Sequence, residues 1–272
     1  MSPVALVTGA GGSIGGRIVV ALAARGWQVV ALDRGDDDDR LPYRLDASGA
    51  LEAVVVEGCR VAGGVVASHP EAPVVGHLGD AARHEVLAKA VAEAEGRFGG
   101  LDAVVAAAGV IAGGVASWEV PVEQEEAVLE VDLRAVLVAA RAGVPALLRR
   151  GEPRRGRFVA VASAAAVRGL PLLAAYCAAK AGVVGFVRAL AVELAGTGVT
   201  ANAVSPGSTA TPLLEESARL YGLASAEAFA AQQPIGRLVR PEEVAAGACY
   251  LLSAEAGAIT GANLAMDGGL SL

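Results

Sequence analysis

The chain has 272 residues, of which 54% are hydrophobic and 4% aromatic, and a formal net charge of −7. That length fits one large domain or two small ones with ample core, while 19% charged residues are too many for a membrane bundle and the apolar share too large for a disordered chain. An acidic chain without a basic stripe excludes nucleic acid as a partner, because phosphate binding needs clustered positive charge.

In chain order, the first element is a short apolar strand, Val4–Thr8, running into Gly9-Ala10-Gly11-Gly12-Ser13-Ile14-Gly15-Gly16 and a helix over Gly15–Arg25. A strand, a glycine turn and a helix start form a phosphate-binding arrangement. Glycines let a pyrophosphate approach the backbone, and the helix aims free N–H groups and its positive dipole end at it. The next strand, Gln28–Asp33, ends in a carboxylate placed to accept the hydroxyls of an adenosine ribose. A 2′-phosphate there meets like charge, at about 4 kcal/mol per pair at 4 Å in an effective dielectric of 20. Arg34 follows directly and would welcome that phosphate instead. Asp33 is expected to prevail and make NAD the cofactor, with an NADP-dependent ketone reductase as the alternative.

The stretch 34–73 is long for one crossover, and its acidic run Asp36–Asp39 reads as a solvated loop. Strands Val74–His77 and Ala103–Ala107 follow, with a helix over Ala81–Phe98 between them and another over Glu123–Arg149 after them. Strand Arg157–Ala162 leads to Ser163, then a helix over Ala175–Ala195, strand Thr200–Val204 and a last strand near Ala262–Ala265. Residues 205–241 carry Leu213, Leu214, Tyr221 and Phe229, an apolar excursion read as extra core or a lid over a pocket. Short buried strands alternating with helices give an α/β fold: one Rossmann-type, doubly wound parallel sheet of about seven strands with helices on both faces. With no repeat and no linker, residues 1–272 are taken as a single domain.

Tyr176 and Lys180, at i and i+4, share one helix face. Chance supplies roughly 0.03 such pairs in a chain with so few tyrosines and lysines, and Lys89 is the only other lysine. A free phenol ionises near pH 10 and is a poor base. A neighbouring ammonium and an oxidised nicotinamide would lower it toward working pH, so that Tyr176 takes an alcohol proton as hydride leaves. Ser163 either donates a hydrogen bond to the same substrate oxygen or caps a turn. Cys59, Cys177 and Cys249 form no C-x-x-C pair, and His69, His77 and His84 no metal spacing, so no metal site is expected. Without a basic amino-terminal region or a long enough charge-free stretch, a soluble cytoplasmic protein is expected.

Thr8-Gly9 with Gly15, Asp33, Ala108-Gly109, Ser163, Tyr176 with Lys180, Asn202, Pro206-Gly207 and Asp267-Gly268-Gly269 stand in an order that resembles the short-chain dehydrogenase/reductase family over nearly the whole chain. The resemblance implies catalytic roles for Ser163, Tyr176, Lys180 and Asp132. It also implies cofactor contacts from Gly9, Gly12, Ser13, Ile14, Gly15, Asp33, Arg34, Ala108, Gly109, Tyr176, Lys180, Pro206, Gly207 and Thr211. It further implies a substrate lid over 205–241 and a homo-oligomer, a tetramer or else a dimer. Within the family the long 34–73 insertion and Leu41-Pro42-Tyr43 look most like the mycofactocin-coupled subgroup. That likeness implies NAD held without ready exchange and a peptide-derived redox cofactor, mycofactocin, as electron acceptor.

Several positions depart from the family pattern: Ser13 for a glycine, Ala106-Ala107 for a pair of asparagines, His77 for an adenine-side aspartate and Asp132 for an asparagine. The leading reading is an NAD-dependent dehydrogenase of hydrophobic secondary alcohols or reductase of the ketones. A low-turnover nucleotide-binding scaffold is the reading from another class. Val110, Ile111, Trp118, Leu170, Leu172, Leu213, Leu214 and Tyr221 are the candidate walls of an apolar substrate pocket.

Overall fold

Apolar runs too short for helices pair side by side as Val4–Thr8 (β1), Gln28–Asp33 (β2), Val74–Leu78 (β3), Ala103–Ala106 (β4), Arg157–Val161 (β5), Thr200–Pro206 (β6) and Asn263–Met266 (β7). They form one sheet in the order β3-β2-β1-β4-β5-β6-β7, every pair parallel. The computed structural model describes residues 2–45, 49–64, 68–69 and 71–272. Thr8 of β1 lies level with Leu32 of β2 and Ala106 of β4, so the carboxyl ends of the central strands share one edge. The chain steps outward from β1 to β3 and then returns to β4 on the other side of β1. That reversal opens a crevice at the strand ends, where open α/β sheets take their ligands.

The period-two alternation of the strands divides the core into two layers. Val4 and Leu6 of β1 face the layer of His84–Phe98 (α3), Ala135–Arg149 (α5) and Ala174–Glu193 (α6). Ala5 and Val7 face that of Ser13–Ala23 (α1), Ala50–Val61 (α2) and Pro241–Leu252 (α8). Ala-rich helices keep both layers thin, and Phe158 is the largest fully buried side chain. Helix α6 is long and apolar enough to cross a bilayer by length and composition, yet its Val183, Val187 and Leu190 are buried in the core beside the sheet. Cys59, Cys177 and Cys249 are free thiols, the first and last buried.

Strand bounds fall within two residues of those expected from sequence, but two helical stretches differ. The expected helix over 123–149 is three pieces: Val122–Leu129 (α4), a π-helical turn Glu130–Arg134, and α5. The wider turn inserts one extra residue into the ladder, a device frequent at functional sites, and it buries Asp132. Within 34–73 lies a full crossover helix, α2, whose Leu51, Val55 and Cys59 recur every four residues on its buried face. Val54-Val55-Val56 masks that period, because β-branched residues read as strand.

Candidate active site

The glycine turn is closed by sterics. A Cβ on Gly15 would sit 2.1 Å from the Gly9 carbonyl oxygen, and one on Gly9, whose φ is +66°, 2.5 Å from the Ala108 nitrogen. The turn therefore packs directly on the loop after β4. Gly12 caps α1 without a side-chain bond, leaving the first N–H groups of Ser13 and Ile14 for a ligand.

Asp33 ends β2 at the mouth of the same groove. Its Oδ2 accepts the Gly11 N–H at 2.8 Å and its Oδ1 the Gly35 N–H at 3.3 Å. Arg34 lines the same groove, with its guanidinium paired: Nε lies 2.6 Å from Asp36 and Nη1 2.8 Å from Asp38. The groove continues past Asp80, Ala81, Ala108 and Gly109. A glycine cradle, a helix N-terminus and a carboxylate at the second strand end fit a dinucleotide. Asp80 and Ala81 were not singled out from sequence. The signal was their position just beyond β3, where His77 drew attention instead. His77 faces Glu93, 3.3 Å from it, and not the groove.

The acidic run is a loop with Asp36 and Asp39 exposed, as expected, but Asp38 departs from that reading. Asp38 is only 4% exposed and bonds both Arg34 and Arg40, and Arg40 reaches Glu130 of the π turn at 2.7 Å. Charge pairing with arginines from both sides explains the departure, and it holds the Asp38 carboxyl far below the usual carboxylate range, the Arg40 hydrogen bond foremost. Behind this clamp Leu41, Tyr43 and Leu45 pack with Val110, Ile111 and Tyr176. Tyr43 accepts the Ile111 N–H at 3.0 Å, and burial pushes its phenol well above the ordinary tyrosine value. Leu41-Pro42-Tyr43 stood out in the sequence, but its packing toward Tyr176 did not, because the apolar residues are interleaved with charge.

Tyr176 and Lys180 lie on the buried face of α6, 8% and 4% exposed, with Lys180 Nζ 5.6 Å from the Tyr176 ring centre. Nζ donates to the Val161 carbonyl at 3.2 Å and lies 2.8 Å from Asp132 Oδ1, while Asp132 Oδ2 accepts the Val110 N–H at 3.3 Å. Gly109 leaves room for this pair, since a Cβ there would stand 3.0 Å from Oδ1. Burial works against the Lys180 charge, yet Asp132 and Tyr176 together raise its pKa above the usual lysine value. The Tyr176 phenol is raised rather than lowered by the protein's own groups. Burial is the main cause, Lys180 pulls down, Asp132 pushes up, and the Ser163 hydroxyl pulls down again.

Ser163 also accepts the Ala165 N–H at 3.1 Å, so it both caps a short helical turn and faces Tyr176. Thr211 caps Pro212–Leu220 (α7), accepting the Leu214 N–H at 3.3 Å. That bond engages the hydroxyl expected to touch a cofactor. Pro206 ends β6 and Gly207 follows it, three strands beyond β1. Asn202 and Asp267 are structural: Asn202 bridges Ile259 and Ala262, and Asp267 accepts the Gly269 and Ser271 N–H groups. Of the expected pocket walls, Val110, Ile111, Leu170, Leu213 and Tyr221 gather about Tyr176. Tyr221 donates to the Pro171 carbonyl at 2.6 Å, tying α7 to the loop after Ser163. Trp118 is 85% exposed and lies outside this cluster.

A family model described as enoyl-(acyl carrier protein) reductase matches residues 60–271. A 2-dehydro-3-deoxy-L-rhamnonate dehydrogenase (NAD(+)) from Sphingomonas sp. (strain SKA58) is 31% identical over 97% of this chain and 94% of its own. The chain belongs to the short-chain dehydrogenase/reductase family. Cyclohexanol dehydrogenase from Acinetobacter sp. (strain SE19) is 34% identical over 97% of this chain and 93% of its own. The crystal structure of carveol dehydrogenase from Mycobacterium avium in complex with NAD superposes with a TM-score of 0.89 at 26% identity, covering 98% of this chain and 97% of that one. The seven-stranded parallel sheet and its flanking helices are those of a short-chain dehydrogenase/reductase fold.

Proposed function

We propose that this family member is an NAD-dependent dehydrogenase of hydrophobic secondary alcohols, or a reductase of the corresponding ketones, with Tyr176 as its acid/base. The observation that carries the reading is one buried cluster of Ser163, Tyr176 and Lys180 beside a groove that ends at Asp33. The printed activities of relatives on small alcohols support the substrate class. NAD is favoured over NADP because Asp33 faces the groove while Asp36 and Asp38 occupy the Arg34 guanidinium.

When bound, the dinucleotide accepts or donates hydride. Gly9, Gly12, Ser13, Ile14 and Gly15 would hold its pyrophosphate, Asp33 its adenosine ribose, Ala108 and Gly109 its flank, and Lys180 its second ribose. Pro206, Gly207 and Thr211 would border the far end. Ser163 orients the substrate oxygen, and Tyr176 gives or takes the proton on that oxygen. Val110, Ile111, Leu213 and Tyr221 exclude water around the reacting carbon. An intact acid/base set favours turnover over a nucleotide-binding scaffold.

The 34–45 strap supports a finer reading, in which NAD(H) stays bound beneath it and electrons leave through the peptide-derived cofactor mycofactocin. Val122, Leu137 and Val192, uncovered on α4, α5 and α6, support a homo-oligomer, a tetramer or else a dimer. Free thiols support a cytoplasmic location. Mass spectrometry of the nucleotide that copurifies, then a panel of secondary alcohols with an artificial electron acceptor, tests the proposal. NADP in the protein, or no turnover across the panel, defeats it.

A further inference from the structure

We propose that Asp132 is a positioning residue that offsets the Lys180 charge at Tyr176, so that the site gives a proton to a ketone oxygen more readily, and takes one from an alcohol at higher pH, than it would without that carboxylate. The inference rests on the acid/base role proposed for Tyr176. It adds a preferred direction and a residue that sets it.

The geometry is that of an ion pair and not of a water-filled relay. Asp132 Oδ1 stands 2.8 Å from Lys180 Nζ, with Asp132 wholly inaccessible and Lys180 4% exposed. The other oxygen accepts the Val110 N–H at 3.3 Å. Burial pushes the Asp132 carboxyl up, while the Lys180 charge 2.8 Å away and the Val110 N–H pull it back down. Asp132 is the buried residue of the π turn.

A lone ammonium one helical turn from a phenol favours the phenolate by about 1–3 pKa units. Here burial and a carboxylate in contact with the same ammonium both work against that field. The other groups facing Tyr176 do not restore it. Ser163 is a neutral hydroxyl, Cys177 beside it on α6 and Tyr43 from the strap act against a phenolate, and Glu216 of α7 is paired with Arg219 at 2.5 Å. In reduction Tyr176 loses its proton to the ketone oxygen as the carbonyl carbon gains a hydride from the reduced dinucleotide. Alcohol and oxidised dinucleotide result, and the phenolate regains a proton from solvent. The oxidative direction needs the phenolate first, which burial and Asp132 move to higher pH and the charge of a bound oxidised nicotinamide would move back.

The experiment is a spectroscopic phenolate titration of the full chain, reading wild type minus Tyr176→Phe, repeated with Asp132→Asn and Asp132→Glu. Alongside it runs the pH profile of kcat/KM for alcohol oxidation. Wild-type Tyr176 is expected to ionise above the free phenol value of about 10. Asp132→Asn should lower that midpoint by about one unit or more and move the oxidation profile with it, and Asp132→Glu should restore the high midpoint. A wild-type midpoint near neutrality, or one unmoved by Asp132→Asn, overturns the inference. If Asp132→Asn fails to fold, the wild-type titration alone decides. Absence of turnover with every alcohol and ketone sinks the functional proposal instead, while the titration still judges Asp132.

Discussion

Arg40 joins the segment after β2 to the π-helical turn of the active site, its Nη1 2.7 Å from Glu130 Oε2 and its Nη2 2.7 Å from Asp38 Oδ2. Residues around that clamp reach both ends of the crevice, Leu45 belonging to each. Asp36 and Leu45 line the nucleotide groove, and Leu41 and Tyr43 pack toward Tyr176. One guanidinium thus couples the cofactor end of the crevice to the catalytic end.

Arg40→Ala should release the strap and leave the sheet intact. The pair is partly exposed, so its own contribution is on the order of 1 kcal/mol, but the change also leaves Asp38 and Glu130 in excess negative charge. The expected result is roughly a tenfold faster loss of bound NAD(H), about 1.4 kcal/mol in the barrier. Stopped-flow nucleotide fluorescence would measure it. An unchanged off-rate would mean that the strap does not gate the groove.

The same clamp sets an acid limit. Asp38 is depressed in the folded protein, so its contribution is fully present above the ordinary carboxylate pKa and fades as pH falls through the lower folded value. The strap should therefore loosen in acid, beginning near pH 4. In Asp38→Asn that pH dependence should be missing and the strap loose at neutral pH. Protease susceptibility of residues 34–45 against pH, compared between the two proteins, gives the answer. Parallel curves would remove Asp38 from the account.

Tyr176→Phe should keep nucleotide binding, because no backbone or glycine contact of the cradle involves the phenol oxygen. Turnover should fall by about 10²–10⁴-fold, the usual contribution of a positioned acid or base. Calorimetric NAD binding and steady-state rates on one preparation separate the two effects. Retained turnover would move the acid/base role elsewhere.

The sheet and the cradle were legible because they are local. Val4–Thr8 must be buried on both faces, and Gly9 to Gly15 must turn in place, so period and composition suffice. Tyr176 and Lys180 were legible because helical spacing alone puts them together. Asp38, Arg40 and Glu130 were not, since charges near and far in sequence neutralise one another only after folding. The raised Tyr176 phenol was hidden for the same reason: it depends on burial first, and then on Asp132, which lies 44 residues earlier in a π turn that no periodicity announces. Trp118 failed as a wall because apolar character does not specify which way a loop residue faces.

Asp33 offers a test of cofactor choice that leaves the chemistry alone. Its carboxylate accepts the Gly11 N–H at 2.8 Å while facing the groove, so one side chain both fixes the glycine turn and meets the ribose. Asp33→Ala removes both functions for NAD. For NADP it removes the repulsion of the 2′-phosphate as well, and the two losses there partly offset each other. NAD affinity should fall about tenfold or more, the cost of charged hydrogen bonds at about 1.5–3 kcal/mol. The ratio of NADP to NAD dissociation constants should shrink, and titration calorimetry with both nucleotides measures it. Because Arg34 remains clamped by Asp36 and Asp38, NADP should still not become the tighter ligand. A variant that preferred NADP would show that this clamp opens when a phosphate arrives.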